Sequence, residues 1–487
     1  MRWFDSMLTA IAPESALKRA QARHMLRAYE AVAPGKLRKK ARDRRTGSAI
    51  ARTASVDLRT QARHLDENHD LARGILNVLV ANIIGRGIQI EPQVKSKNGE
   101  LNEPVNQLLT DLWRDWCYAP EVTAELNWAA VERLACRSWL RDGEVFSKLI
   151  TGTDANLNHI SQVPFSIELI EADYVPFGPG FPAQNAYDGI ERDDWGRAKA
   201  FHIAKRSNSD ILPSQAFYRI DAANVIHLKH ADRVRQNRGV SVFASVMTRL
   251  EDVKDYEESE RIAAKIAASM AAFIKKGNPD FYNPNSDGTA RQLRMSPGMI
   301  FDDLLPGEEI GTIDTNRPNT NLESYRQGQL KAIAAGTGSG YSSISRNYDG
   351  SYSAQRQEMV ETSVLYGTMR DHFIERFSRP IWRRFVETAN AATMIKLADV
   401  DIKTLDNADF RGPGLPWIDP LKEINAANKA VRGGFKSRSQ IIREYGNNPT
   451  EVRAQIKAER QRDEADNLIF ESDYANDKKP ASIKTAG

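Results

Sequence analysis

Thirty-seven consecutive residues, Val240 to Lys276, contain neither proline nor glycine. Those are the two residues that most readily interrupt a helix, so the stretch predicts one helix about 55 Å long at 1.5 Å per residue. Its first half repeats Phe243, Val246, Met247, Leu250 and Val253 with a helical period, and its second half, "IAAKIAASMAAFI", is rich in alanine. Between the halves, "EDVKDYEESE" has six acids and one lysine, among them Glu251, Asp252, Asp255, Glu257 and Glu258. Taken alone, such a run reads as a solvated helix face.

The chain before this helix has a different texture. "LARGILNVLVANIIGRG" is an apolar helix with a glycine stop, and "IQIEPQV" alternates as a strand does. Two more helices, "VNQLLTDLWRDWCY" and "WAAVERLACRSWLRDG", precede the strand signals "EVFSKLI", "FSIELIEADYV", "AKAFHIA" and "NVIHLKH". Residues 64–239 are therefore expected to form a mixed α+β domain.

After the long helix, residues 277–320 read as a compact insertion. In it, "GMIFDDLLPGEEIGTID" predicts two short strands around a Pro-Gly turn. A helix over 321–335 follows, with Thr320 and Glu323 spaced as a capping box. Residues 336–354, "GTGSGYSSISRNYDGSYSA", read as a loop. "SAQRQEMVETSVLYGTMRDHFIERFSR" is again helical, and Pro380 is expected to kink or end it. Residues 416–470 are short helices punctuated by Asp419-Pro420 and Gly433-Gly434. The polar tail 471–487 is expected to be disordered.

Charge divides the chain. Residues 1–63 hold 15 Lys/Arg and 5 Asp/Glu, whereas the remainder holds 53 and 59. The densest run contains Lys36, Arg38, Lys39, Lys40, Arg42, Arg44 and Arg45. It suits either an anionic partner, through counterion release, or a solvated arm. The start of the chain, Arg-containing but without an apolar core or cleavage site, reads as an arm rather than a transit peptide. The acidic remainder does not read as a nucleic-acid-binding body. Two cysteines, Cys117 and Cys136, make no disulfide framework and read as buried thiols in a reducing compartment. No apolar run reaches the roughly 20 residues of a membrane span.

Motifs for chemistry are missing from the sequence. The glycine-rich loop follows a helix and has no Lys or Arg before Arg346, so it fits neither a phosphate loop nor a dinucleotide fingerprint. The His pairs His64/His69 and His227/His230 make no HExxH and join no cysteine pair. GxSxG does not occur. "SRSQIIREYGNNPTEVRAQIKAER" has the spacing of a helix-turn-helix, but its second helix mixes acids with bases, which favours a packed helical module. Clustered carboxylates of a nuclease cannot be paired from sequence. A DNA-processing enzyme of a packaging machine, motor ATPase or nuclease, therefore stays as the alternative, with a scaffold lacking a channel as a third.

Several stretches taken in order resemble the lambda-type family of tailed-bacteriophage portal proteins. They are "LARGILNVLVANIIGRGIQIEPQV", "DGEVFSKLI", "IELIEADYV", "GIERDDWGRAKAFHIA", "RVRQNRGVSVFASVMTRLEDVKDYEESERIAAKIAA", "GMIFDDLLPGEEI", "NYDGSYSAQRQ" and "PWIDPLKEINAANKAVRGGFKSRSQIIREYG". The resemblance implies a portal-type α+β protomer in a ring of about twelve subunits. Such a ring surrounds double-stranded DNA in transit at one capsid vertex. Residues 64–239 would be the wing, 240–276 and 321–335 the stem helices, and 277–320 the clip. Residues 336–354 would be the tunnel loop, 355–415 a wing or channel helix with its following segment, and 416–470 the crown. Expected partners are the large terminase subunit, major capsid and scaffold proteins, and the head-tail adaptor. The chain would act in the virion after assembly in the host cytoplasm, without catalysis, metal or cofactor. Tyr341, Arg346, Asn347, Tyr348 and Tyr352 would line the constriction, with the five stem acids repelling DNA.

Overall fold

The computed structural model describes residues 45–152, 157–177, 186–205, 216–268, 272–276, 308–312, 322–414, 420–466 and 468. Helix α1, Gly47–Asn68, starts well inside the expected basic arm, capped by Thr46, whose side chain accepts from the Ala49 N–H. It buries Ala51, Ala62 and Leu65, so the arm ends near residue 46 rather than 63. Helix α2, Asp70–Ile83, is apolar on most sides and is buried accordingly. The chain turns at Gly85 and Gly87, both with positive φ, into β1, Gln89–Pro92.

Helices α3, Glu103–Trp116, and α4, Trp128–Asp142, are capped by the side chains of Asn102 and Asn127. They bring Trp113, Trp116 and Trp128 into one aromatic cluster, which Phe165, Phe377, Trp382 and Phe385 join. Helix α4 stops at Gly143 in the left-handed region and releases directly into β2, Glu144–Thr151. Strand β2 is the centre of an antiparallel sheet, between β3, Phe165–Ile170, and β8, Val225–Lys229. Inserted between β3 and β8 is a four-stranded antiparallel meander of β4, Ala186–Tyr187, β5, Ile190–Arg192, β6, Ala198–Ala204, and β7, Phe217–Asp221. Phe146, Ile170, Ile190, Phe201 and Ile203 form a small second core between the sheets. The expected mixed α+β organisation is present.

The long helix is shorter than its sequence suggests. A 3-10 turn occupies Val242–Ser245, and helix α5 runs from Met247 to Ala268. Ala272–Lys276 is instead strand β9, antiparallel to β10, Glu308–Thr312, from Ala272 opposite Thr312 to Lys276 opposite Glu308. Alanine favours helix only weakly, and a strand ladder overrides that preference. Strand β10 therefore pairs with the end of the stretch expected to be one helix, and residues 298–307, with the Pro-Gly turn, lie outside the described residues. So do Thr320 and Asp419, the two caps expected from sequence.

Helix α6, Leu322–Thr337, packs against the start of α5, where Leu250 and Val253 meet the same core as Leu330, Ile333 and Ala334. A Cβ at Gly336 would lie 2.5 Å from Val246 Cγ1, so a glycine is required at this approach. After the short helix α7, Tyr341–Ser345, helix α8 covers Tyr352–Phe373. It is not ended by Pro380. A π turn at Ile374–Ser378 leads into α9, Arg379–Ala391, and Pro380 sits in the first turn of α9. The wide turn accommodates the proline ring and its missing N–H without breaking the helical path.

Strand β11, Ala408–Arg411, pairs antiparallel with β1. The C-terminal helices are α10, Pro420–Arg432, α11, Arg438–Glu444, and α12, Pro449–Ala465. Helix α10 stops at Gly433-Gly434, with Gly434 at positive φ. Helix α11 begins with a full capping box between Ser437 and Gln440.

Candidate functional site

Helix α5 has two unlike faces. Leu250 and Val253 point into the core, while Glu251, Asp252, Asp255 and Glu258 are exposed. At about 100° per residue these four carboxylates lie within an arc of about 120°. Glu257 stands apart from them, half-buried against α6, where Arg326 donates to it at 2.5 Å. The same helix pair is joined by Tyr256 against Tyr325, at 4.8 Å between rings, and by Arg249 donating to Gln329 at 2.5 Å. Lys254 donates to the Asn68 carbonyl at 3.0 Å, and Arg261 pairs with Glu258 at 3.2 Å. Of the five acids expected to act together, four share the open face and Glu257 joins α5 to α6.

The segment after α6 is more tightly held than its Gly/Ser content suggests. The Gly340 N–H donates to the Tyr366 hydroxyl at 3.2 Å, and the Ser342 N–H and hydroxyl donate to the two oxygens of Glu358 at 2.8 and 2.6 Å. Ile344 is buried. Tyr341 is half-buried against the main core with the Lys331 ammonium 5.5 Å from its ring centre, so its ring does not project freely as expected. The open part begins at Arg346, which is exposed and in the left-handed region with φ 57°. The Asn347 side chain accepts from the Asp349 N–H at 2.9 Å, and Gln355 donates to the carbonyls of Tyr348 and Gly350. Tyr348 and Tyr352 present their rings to solvent. Arg346, Tyr348 and Tyr352 thus share one exposed stretch, while Tyr341 belongs to the body.

Of the basic arm, Lys36, Arg38, Lys39, Lys40, Arg42 and Arg44 lie outside the described residues. Arg45 is exposed, donates to Thr53 Oγ1 at 2.9 Å and offers its carbonyl to Arg233 at 3.2 Å. Cys117 and Cys136 are thiols whose pKa values burial pushes up. Among the described residues no group of three His, Cys, Asp or Glu could hold a metal ion. None of their helices is long and apolar enough to cross a membrane.

The motif "RQNRGV" turns out to be architectural. Arg238 is buried, with Nε 2.8 Å from Glu144 Oε1, and its remaining nitrogens donate to the carbonyls of Val175, Asp188 and Ala172 at 2.7, 3.0 and 3.2 Å. The Phe177 ring lies 4.0 Å from its guanidinium carbon. Glu144 also accepts from the Gly239 N–H at 3.0 Å and from His227 Nε2 at 2.9 Å. Burial alone would raise the Glu144 carboxyl, but Arg238 and His227 outweigh it and hold the group below the usual carboxylate range. Burial pushes His227 down to about 4, so it is a neutral donor here. A Cβ on Gly239 would lie 1.9 Å from the Gly143 carbonyl oxygen. This clamp ties both sheets to the segment that leads into α5.

Comparison with known proteins places the chain in a class. The sequence model described as "Phage portal protein, lambda family" matches residues 33–370, and the chain belongs to that family. It is 23% identical to the "Probable portal protein" of Halomonas phage phiHAP-1, over 82% of this chain and 79% of that one. It is 22% identical to "Portal protein B" of Escherichia phage lambda, over 56% and 58% of the two chains. Among solved structures, a chain of the "Neck of native GTA particle computed with C12 symmetry" aligns at 11% identity over 83% of this chain and 99% of that one. The TM-score of that alignment is 0.42. The family is one of structural portal proteins rather than enzymes.

Proposed function

We propose that about twelve copies of this chain close into a ring around a channel for double-stranded DNA at one capsid vertex. The genome would enter through that channel during packaging and leave through it on ejection. Membership of the portal family carries this reading. The exposed carboxylates of α5 support it. Repeated around a ring, Glu251, Asp252, Asp255 and Glu258 repel phosphates, whereas each phosphate neutralised by a cation would add affinity and impede sliding.

In this reading α5 and α6 are the stem, and residues 277–320 are the clip that meets the large terminase subunit and later the head-tail adaptor. The wing meets capsid and scaffold proteins, and the C-terminal helices form the crown. The chain is a virion component, assembled in the host cytoplasm, that hydrolyses nothing and needs no metal or cofactor. The basic arm contacts an anionic partner. The constriction is the exposed stretch from Arg346 to Tyr352, with Tyr348 and Tyr352 supplying bulk and Arg346 touching phosphate lightly, while Asn347 shapes the turn.

The test is packaged genome length in assembled heads. Shortening residues 346–350 should leave folding intact, because the anchored half from Gly340 to Ser345 is kept, and packaging or retention of DNA should fail. Heads that still fill and hold full-length DNA would overturn the assignment of the constriction.

A further inference from the structure

Helix α1 docks on the body differently along its length. Ala62 and Leu65, in its second half, enter the main core. From Gly47 to Arg59, by contrast, Ala51 is the one buried apolar side chain, with Ile50 and Leu58 half-buried. Helix α2 shows the other extreme, with Ile75, Leu76, Leu79 and Ile83 wholly buried in that core.

What the first half of α1 turns to the body is mostly polar. Ser48, Arg52, Ser55 and Arg59 follow at steps of four, three and four residues, so they share one helix face. The Ser48 hydroxyl donates to the Arg235 carbonyl at 2.8 Å and accepts from the Asn237 N–H at 3.0 Å. Arg52 forms a two-pronged pair with Asp188 at 2.7 and 3.0 Å. The Ser55 hydroxyl donates to the Gly239 carbonyl at 3.3 Å, and Arg59 pairs with Asp173 at 3.0 Å. A Cβ at Gly47 would lie 2.9 Å from Arg233 Cβ. Asp173 and Asp188 belong to connections between strands, whereas Arg233, Arg235, Asn237 and Gly239 belong to the segment that leads into α5.

Polar docking of this kind holds a helix weakly for its length. Each carboxylate and guanidinium gives up water to pair, which cancels much of the attraction. Burial pulls the Arg59 pKa below its usual value even with Asp173 and Glu144 beside it, which reflects that cost. The Arg52 side chain stays 42% exposed and that of Asp173 31%, so both pairs feel dissolved salt. Apolar burial such as that of α2 is not screened in this way.

We infer that Gly47–Arg59 is an ionic strap, which undocks as a unit about the anchored turn of Ala62 and Leu65 and thereby frees the segment 233–239. Arg45, the last residue of the basic run, offers its carbonyl to Arg233 at the far end of this strap. The strap therefore links the basic run to the approach to α5.

Hydrogen exchange of the full chain, read by mass spectrometry, tests it. Raising NaCl from about 0.1 M to about 1 M shortens the screening length from about 10 Å to about 3 Å. Peptides from Gly47 to Arg59 should then exchange about tenfold faster, as should the peptide holding Asn237, whose N–H is bonded to Ser48. Peptides of α2 and α4 should keep their rates. Arg52→Gln, at an exposed position, should give the same pattern at low salt, and Arg52→Lys a smaller change. Rates from Gly47 to Arg59 that respond to neither salt nor Arg52→Gln would overturn the strap. So would a response that α2 and α4 share, since the helix would then open only with the core. A strap that opens while the Asn237 peptide stays protected would overturn its hold on residues 233–239.

Discussion

Glu144 and Arg238 are 94 residues apart in sequence and meet at 2.8 Å with both side chains out of solvent. Every nitrogen of Arg238 is occupied, by Glu144 or by a backbone carbonyl of the segments around Ala172, Val175 and Asp188. The pair therefore joins α4's exit, the sheet connection and the approach to α5 at one point.

Removing one partner should cost more than the pair is worth. Arg238→Met leaves a buried carboxylate and several carbonyls unpaired and should destabilise by about 3–5 kcal/mol. Arg238→Lys should recover little of it, since an ammonium cannot span the same fan of acceptors. Denaturant unfolding followed by far-UV circular dichroism checks both; a loss below about 1 kcal/mol for Arg238→Met would contradict the role of the clamp.

His227 sets an acid limit. Its folded pKa, about 4, is below its usual 6.5, so its contribution is complete above 6.5 and is lost as pH falls towards 4. Glu144, also depressed, adds to the loss below about 4.5. His227→Gln can still donate to Glu144 and should flatten Tm between pH 6.5 and 4.

Glu132 works in the opposite direction. Its carboxyl is wholly buried, accepts from the Ile88 N–H at 2.8 Å and meets the Ser378 hydroxyl at 2.8 Å. Burial outweighs these donors and pushes its pKa up to about 8. A raised acid contributes fully below its unfolded value near 4.5, and that contribution is lost as pH rises through 8. Glu132→Gln should be the more stable protein at pH 8 and remove this slope, as read by Tm from pH 4.5 to 9.

Gly336 keeps α6 close to the start of α5. Gly336→Ala places a methyl against Val246 Cγ1, a short stiff side chain, and should cost about 1–3 kcal/mol. Val246→Ala in the same chain should recover part of that loss. No recovery in a double-mutant cycle would mean that the strain lies elsewhere.

Much of this architecture was readable from the residues. Strand signals in "EVFSKLI" and "NVIHLKH" marked β2 and β8, and the glycine stops of "LARGILNVLVANIIGRG" and of Gly433-Gly434 marked helix ends, because those signals are local. The misjudged places depend on partners far away. Ala272–Lys276 is a strand because of β10, and the true start of α1 depends on the core that Ala51 and Ala62 enter. The arginine of "RQNRGV" gave no local sign that it would be buried; only the cluster of Glu144, His227 and three carbonyls explains it. Loop composition suggested freedom from Gly336 to Ala354, but Glu358 and Tyr366, on the next helix, hold its first half. The exposed carboxylates of α5 were legible as a group, except that Glu257 turns to Arg326.

The π turn at Ile374–Ser378 works as a phase adjuster. Phe373, Phe377, Ile381 and Phe385 are all buried, in three successive steps of four residues. In an ideal α-helix such steps would carry the buried line round by about 120°, away from the core. The wide turn takes up about one residue, or about 100°, of that drift. One unbroken seam therefore runs from α8 into α9, and its alignment is held in five residues. Deleting a single one of them would leave both helices intact and rotate one against the other, turning the exposed length of α8, with Tyr352 at its head, to a different side of the molecule.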